Sequence, residues 1–143
     1  MMKIEMEFNI PDLESFTFTD SFEKIAKYLE ISLQMNFQDG GRPAKWEPKK
    51  KDGSPSHLFM TGALFNSIGS ESGIDYAEAG AMRLLPYSFI HQYGFDGVRK
   101  DGKYMRMPIR EYILFQDEDI DFCLQTMGDD LLSFWNSKGE QIN

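Results

Sequence analysis

A chain of 143 residues, 41% hydrophobic and 14% aromatic, can bury a stable core, which excludes disorder on composition. The lone Cys123 excludes an internal disulfide, and no run of about eighteen apolar residues offers a membrane span. The net charge of −8 argues against sequence-specific binding to nucleic acid, because phosphates are bound through counterion release by Lys and Arg.

The first local signal has a period of two. Lys3 to Phe8 sets Ile4, Met6 and Phe8 against Lys3, Glu5 and Glu7, predicting a half-buried strand that Pro11 closes. Asp20 stands three residues ahead of Glu23, a capping pair for a helix over about 20–37, whose Phe22, Ile25, Ala26, Leu29, Leu33 and Phe37 share a face. Asp39-Gly40-Gly41 ends it, since glycine tolerates the left-handed backbone of a helix C-terminus. Gly40 to Pro55 reads as a long exposed loop anchored by Trp46. A short helix follows around Leu58 to Ile68, with Met60, Leu64 and Ile68 at helical spacing. Gly69 to Met82, punctuated by Gly73 and Gly80, predicts a hairpin with Ile74 and Tyr76 turned inward. Beyond Pro86, Tyr87 to Tyr93 gives one or two helical turns, Val98 to Lys103 a loop around Asp101-Gly102, and Tyr104 to Met107 a strand. The last helix, about 117–135, is capped by Asp117, places Glu118 and Asp119 at its positive end, and carries the stripe Ile120, Leu124, Met127, Leu131 and Phe134. Together these predict an α+β fold: a single domain over residues 1–143, with a small antiparallel sheet packed against two main helices and long exposed loops.

Charge is unevenly placed. Arg42, Lys45, Lys49, Lys50 and Lys51 form one basic cluster and Arg99, Lys100, Lys103, Arg106 and Arg110 another, whereas Asp117, Glu118, Asp119, Asp121, Asp129 and Asp130 crowd the C-terminal third. This layout suits solvated loops and helix faces; it equally suits unlike patches that dock identical subunits head to tail. Patterns that carry chemistry are sparse: there is no HExxH, paired CxxC, Walker loop or GxSxG. His57, His91 and Cys123 are too scattered to predict a zinc site, and the acidic run at 117–121 is at home at a helix start. No catalytic, cofactor-binding or metal-binding residue is assigned. Two alternatives stay open: a small metal-dependent hydrolase using His91 and the acidic cluster, and an acidic adaptor that binds a partner through its basic loops.

Four stretches are more specific than loops require: NFQDGGRPAKWEP (36–48), HLFMTGALFNSI (57–68), PYSFIHQYG (86–94) and MPIREYI (107–113). In this order the chain resembles the phage virion morphogenesis proteins, the tail completion family of Mu-like tailed phages, whose members read NF…GGRP.KW.P, HL..TG.L..SI, YA..HQ.G and PARPFL. It departs at Pro108-Ile109-Arg110-Glu111-Tyr112-Ile113, which keeps the first proline and the arginine of PARPFL and loses the second proline. The resemblance implies a structural, non-enzymatic protein without cofactor that acts in tail completion and head-tail joining. It further implies a homo-oligomeric ring touching tail tube or head-tail connector proteins, first in the host bacterial cytoplasm and then in the virion tail.

The residues in these stretches suggest physical roles. Arg42 beside Pro43, and Arg110 after Pro108, are expected to hold their planar guanidinium groups toward carboxylates or carbonyls. Lys45 adds charge to the first stretch and Trp46 is expected to lie as a lid on the core. Thr61-Gly62 suits a close helix contact. His91 with Gln92, ahead of Gly94, is expected to pin a short helix to a neighbouring loop through hydrogen bonds.

Overall fold

The computed structural model describes residues 2–3, 14–58, 62–83 and 85–142. Apart from Lys3, the strand expected from Lys3 to Phe8 and its closing Pro11 lie outside the described residues, as do Met60 and Thr61. The fold is α+β, with two main helices packed with small antiparallel sheets.

Helix α1, Thr19–Gln38, organises the rest. Its buried face carries Ile25, Ala26, Leu29, Leu33 and Phe37 as the periodicity predicts, and also Ser21, Ser32 and Asn36. Phe22 is only half-buried. The expected Asp20–Glu23 capping pair does not form. The helix starts ahead of Asp20, so the N-cap residue is Phe18, without a side-chain cap, and Asp20 lies inside the first turn. There its carboxylate still suits the positive end of the helix dipole.

The other end of α1 closes as expected. Gly40 N–H donates to Phe37 O at 3.2 Å and Gly41 N–H to Asn36 O at 2.8 Å, the bond pair of a Schellman motif. Both glycines have positive φ, 69° and 109°. A Cβ on Gly41 would stand 2.7 Å from both Ala44 O and Trp46 N, so the loop can fold back over the helix end only with glycine there.

Helix α4, Asp117–Ile142, lies antiparallel to α1. Ser21 donates to Asp130 at 2.6 Å and Ser32 to Asp119 at 2.7 Å, so the contact steps forward along one helix and backward along the other. Tyr28 stacks on Phe122 with ring centroids 3.8 Å apart, and Phe16 meets Phe134 at 5.0 Å. Two expectations are corrected here. Asp117 is the first helical residue rather than the cap; the return bond comes from Asp119, whose carboxylate accepts Gln116 N–H at 2.7 Å. The apolar stripe does not face the core as a whole: Ile120 and Leu124 are exposed, Met127, Leu131 and Phe134 half-buried. The serine–aspartate bonds turn the Asp119–Asp130 face onto α1, and at about 100° per residue this swings Ile120 and Leu124 outward.

On the other side of α1 lies a hairpin of β1, Ile68–Ser72, and β2, Ala77–Ala81, paired from Ile68↔Ala81 to Ser72↔Ala77. Ser70 ties it to the helix by donating to Glu30 at 2.6 Å. Ile74 and Tyr76 are not inward, because they belong to the connecting turn and are exposed; Tyr76 donates its hydroxyl to Glu71 instead. The helix expected over Leu58–Ile68 shrinks to the single turn α2, Ala63–Asn66, and Ile68 opens β1. Helix α3, Ser88–Tyr93, matches its prediction. The loop expected from Val98 begins later, since β3, Phe95–Val98, pairs with β4, Tyr104–Met107. Thus the described residues hold two separate two-stranded sheets rather than one. The core gathers Leu33, Phe37, Trp46, Leu64, Ile68, Leu85 and Tyr112, so loop residues complete what α1 and the hairpin begin.

Candidate functional site

Arg42 is the centre of a polar frame at the end of α1. Its Nε donates to Asn36 Oδ1 at 3.0 Å, its Nη2 to the carbonyl and hydroxyl of Ser32 at 2.8 Å each, and its Nη1 to Glu118 at 3.3 Å. A planar five-donor group meets four acceptors on two helices, which a lysine ammonium could not match. Asn36, fully buried, donates to Tyr112 O at 2.9 Å and Leu114 O at 3.0 Å, fastening the segment that enters α4. Gln116 Nε2 returns to Arg42 O at 3.3 Å. Pro43 follows Arg42 in the turn, and Lys45 Nζ donates to Asp39 O. Trp46 N–H donates to Gly40 O at 2.7 Å while its ring meets Phe37 edge-on at 6.0 Å, buried in the core as a lid.

A second knot holds the far side of the same loop. Arg110, more than nine-tenths buried, donates through Nε and Nη2 to Glu47 O at 3.2 and 2.9 Å, and Nη2 reaches Pro48 O at 3.4 Å. Arg106 forks onto the Glu47 carboxylate at 3.1 and 3.3 Å. That hydrogen bond holds the Glu47 carboxyl below its ordinary range. Pro108 is buried between the two arginines. Gly94, φ 74°, lets this segment pass: a Cβ there would stand 2.8 Å from Ile109 Cγ1 and 3.0 Å from Met107 O. Gly62, also at positive φ, is the N-cap residue of α2; Thr61, its partner in the expected close helix contact, lies outside the described residues.

The expectation for His91 and Gln92 holds for only one side chain. Gln92 accepts from Tyr112 N–H at 3.1 Å and Ile113 N–H at 3.0 Å through Oε1 and donates to Ile113 O at 3.0 Å, pinning α3 to the segment before α4. His91 contributes its backbone, accepting Arg110 N–H at 2.8 Å, but its buried ring Nδ1 has no hydrogen-bond partner. Burial, then the cation of Arg110, pushes its pKa down. The reason is geometric: the Gln92 amide already serves both neighbouring N–H groups, while the His91 ring turns into a cavity that it shares with His57. His57 Nδ1 lies 2.8 Å from Phe37 O; since a carbonyl only accepts, that nitrogen carries the proton.

Sequence reasoning missed Asn36, Glu47, Asp119 and His57 as partners in these knots. Asn36 and Glu47 sit inside the NFQDGGRPAKWEP stretch, so their presence beside Arg42 was the available signal. Nothing local announces that Asp119 reaches Ser32. The acidic run imagined as a metal cluster is divided instead: Asp119 serves Ser32 and Gln116, and Glu118 serves Arg42. Among the described residues no group of three or more His, Cys, Asp or Glu is gathered to hold a metal ion, and no helix is long and apolar enough to cross a membrane.

The two knots direct arginine and amide side chains at backbone carbonyls and carboxylates of the same chain and so fix the shape of the basic loop between them. The chain belongs to the phage virion morphogenesis family, whose sequence profile matches residues 15–131. It is 35% identical over 95 residues to the Mu-like prophage FluMu G protein 2 of Haemophilus influenzae, an alignment covering 66% of this chain and 64% of that protein. No solved structure matches it.

Proposed function

We propose that the protein acts in tail completion and head-tail joining during virion assembly, as a homo-oligomeric ring in contact with tail tube or head-tail connector proteins. It works in the bacterial cytoplasm while particles form and stays in the virion tail. The carrying observation is that the family match, 15–131, spans the whole frame centred on Arg42 and Arg110, whose bonds shape the loop bearing Lys49, Lys50 and Lys51. A loop shaped by buried arginines and tipped with exposed lysines suits recognition of an acidic protein surface. The likeness to a Mu-like prophage G protein supports an assembly setting.

Deleting the gene from the phage or prophage that encodes it, followed by electron microscopy of the lysate, tests this reading. Filled heads and separate tails should accumulate. Joined, infectious particles in normal yield would overturn it.

A further inference from the structure

Two unpartnered surfaces of this molecule match each other. The first is a cavity of about 740 Å³ between the 49–58 loop and α3. Lys49, Lys51 and Arg110 supply its positive charge, and Leu58, Leu64 and Met107 its apolar walls. The one acidic group in the lining, Asp52, is already engaged, accepting from Ser54 N–H at 3.0 Å and its hydroxyl at 2.6 Å. Arg110 bonds through Nε and Nη2, leaving Nη1 without a hydrogen bond among the described residues. His91 Nδ1, buried in the same lining, has no partner either. A buried polar nitrogen left unpaired beside a half-used guanidinium is costly unless an acceptor arrives. The chemistry that satisfies this lining is a carboxylate next to an aliphatic side chain. The phosphates of a nucleic acid fit worse, because the walls are apolar and the chain as a whole is anionic.

The second surface is the outward face of α4. Ile120 and Leu124 are 56% and 66% exposed, and the exposed Asp117 and Asp121 each lie three residues before one of them on the same face. This face is the acidic, aliphatic complement of the cavity. Two such faces pressed together would set aspartate against aspartate, so symmetric pairing is disfavoured. We infer that the basic cavity of one copy is a carboxylate socket for the Asp121–Leu124 face of α4 on a second copy, making a head-to-tail contact. The contact deepens the ring reading above and rests on it only in assuming that copies assemble side by side. Leucine fills the apolar part, and the aspartates face Lys49, Lys51 and Arg110.

Sedimentation of charge-reversed pairs tests it. K49E/K51E spoils the socket and keeps the helix face; D121K/L124K spoils the face and keeps the socket. All four positions are exposed, and circular dichroism confirms that each variant is folded. Wild type should associate progressively with concentration at low salt, and each variant alone about tenfold or more weakly, the scale of close interfacial charge pairs. An equimolar mixture should associate more tightly than either variant alone, because it holds one good socket and one good face and sets the reversed socket against a face of opposite charge. Wild type that stays monomeric throughout, K49E/K51E that associates like wild type, or a mixture that associates no more tightly than the variants alone would each overturn the contact. Particle joining keeps the two readings apart: variants that associate like wild type overturn this contact and leave the tail role standing, whereas a deletion strain that still makes joined particles overturns the tail role whatever the chain does in solution.

Discussion

His91 shows how a residue can be placed correctly and its work misjudged. Its backbone carbonyl, not its ring, ties α3 to Arg110 N–H. The ring is left with a pKa below the ordinary 6.5, through burial and then the nearby Arg110 cation. Between 6.5 and that depressed value the unfolded chain binds the proton and the folded chain does not, so stability rises with pH across this window and is lost as pH falls through it. Urea midpoints of wild type should therefore drop from pH 7 toward pH 5 more steeply than those of His91→Gln; parallel curves would show that the ring titrates alike in both states. Arg42, by contrast, was legible. Next to a proline and six residues after Asn36, it turns its guanidinium toward carbonyls and a carboxylate, as its chemistry predicts. Its exact partners were not legible, because Ser32 comes within reach only when the turn after α1 folds back along the helix, and Glu118 only once α4 docks.

At the scale of elements, α1 was readable because its apolar residues repeat at helical spacing and Gly40-Gly41 signals the stop. The facing of α4 was not. Two hydroxyl–carboxylate bonds, Ser21–Asp130 and Ser32–Asp119, decide which side meets α1, and an apolar period cannot reveal that choice. β3 escaped notice because four residues with a glycine among them leave almost no alternation to detect. The 40–58 loop keeps its shape through its first turn, where φ at Gly41 is 109° and a Cβ would collide with Trp46 N and Ala44 O. Gly41→Ala should cost about 2–4 kcal/mol, combining backbone strain with displaced core packing around Trp46. Gly53→Ala, at φ 67° with nothing within 4 Å of the added Cβ, should cost only about 1–2 kcal/mol, the left-handed penalty alone. Equal losses in chemical denaturation would mean that the turn over Trp46 carries no special constraint.

Across the whole molecule, one arrangement recurs: polar side chains hold loops from within, while charge and apolar surface stand outside without partners. Arg42, Asn36, Gln92 and Arg110 point at carbonyls of their own chain. Ile120, Leu124, Phe89 and Tyr93 lie open, and the 49–51 lysines stand exposed at the cavity's rim. The role proposed above makes the protein a component of the particle, consumed in proportion to the particles made. The direct measurement is a titration: graded amounts of purified protein added to a lysate from the deletion strain, with infectious particles counted and the chain quantified in purified virions. The account predicts a yield that rises in proportion to protein and saturates at a fixed number of chains per particle, with those chains retained. Trace protein joining a large excess of particles, with none of it left in them, would mark turnover and contradict the structural role.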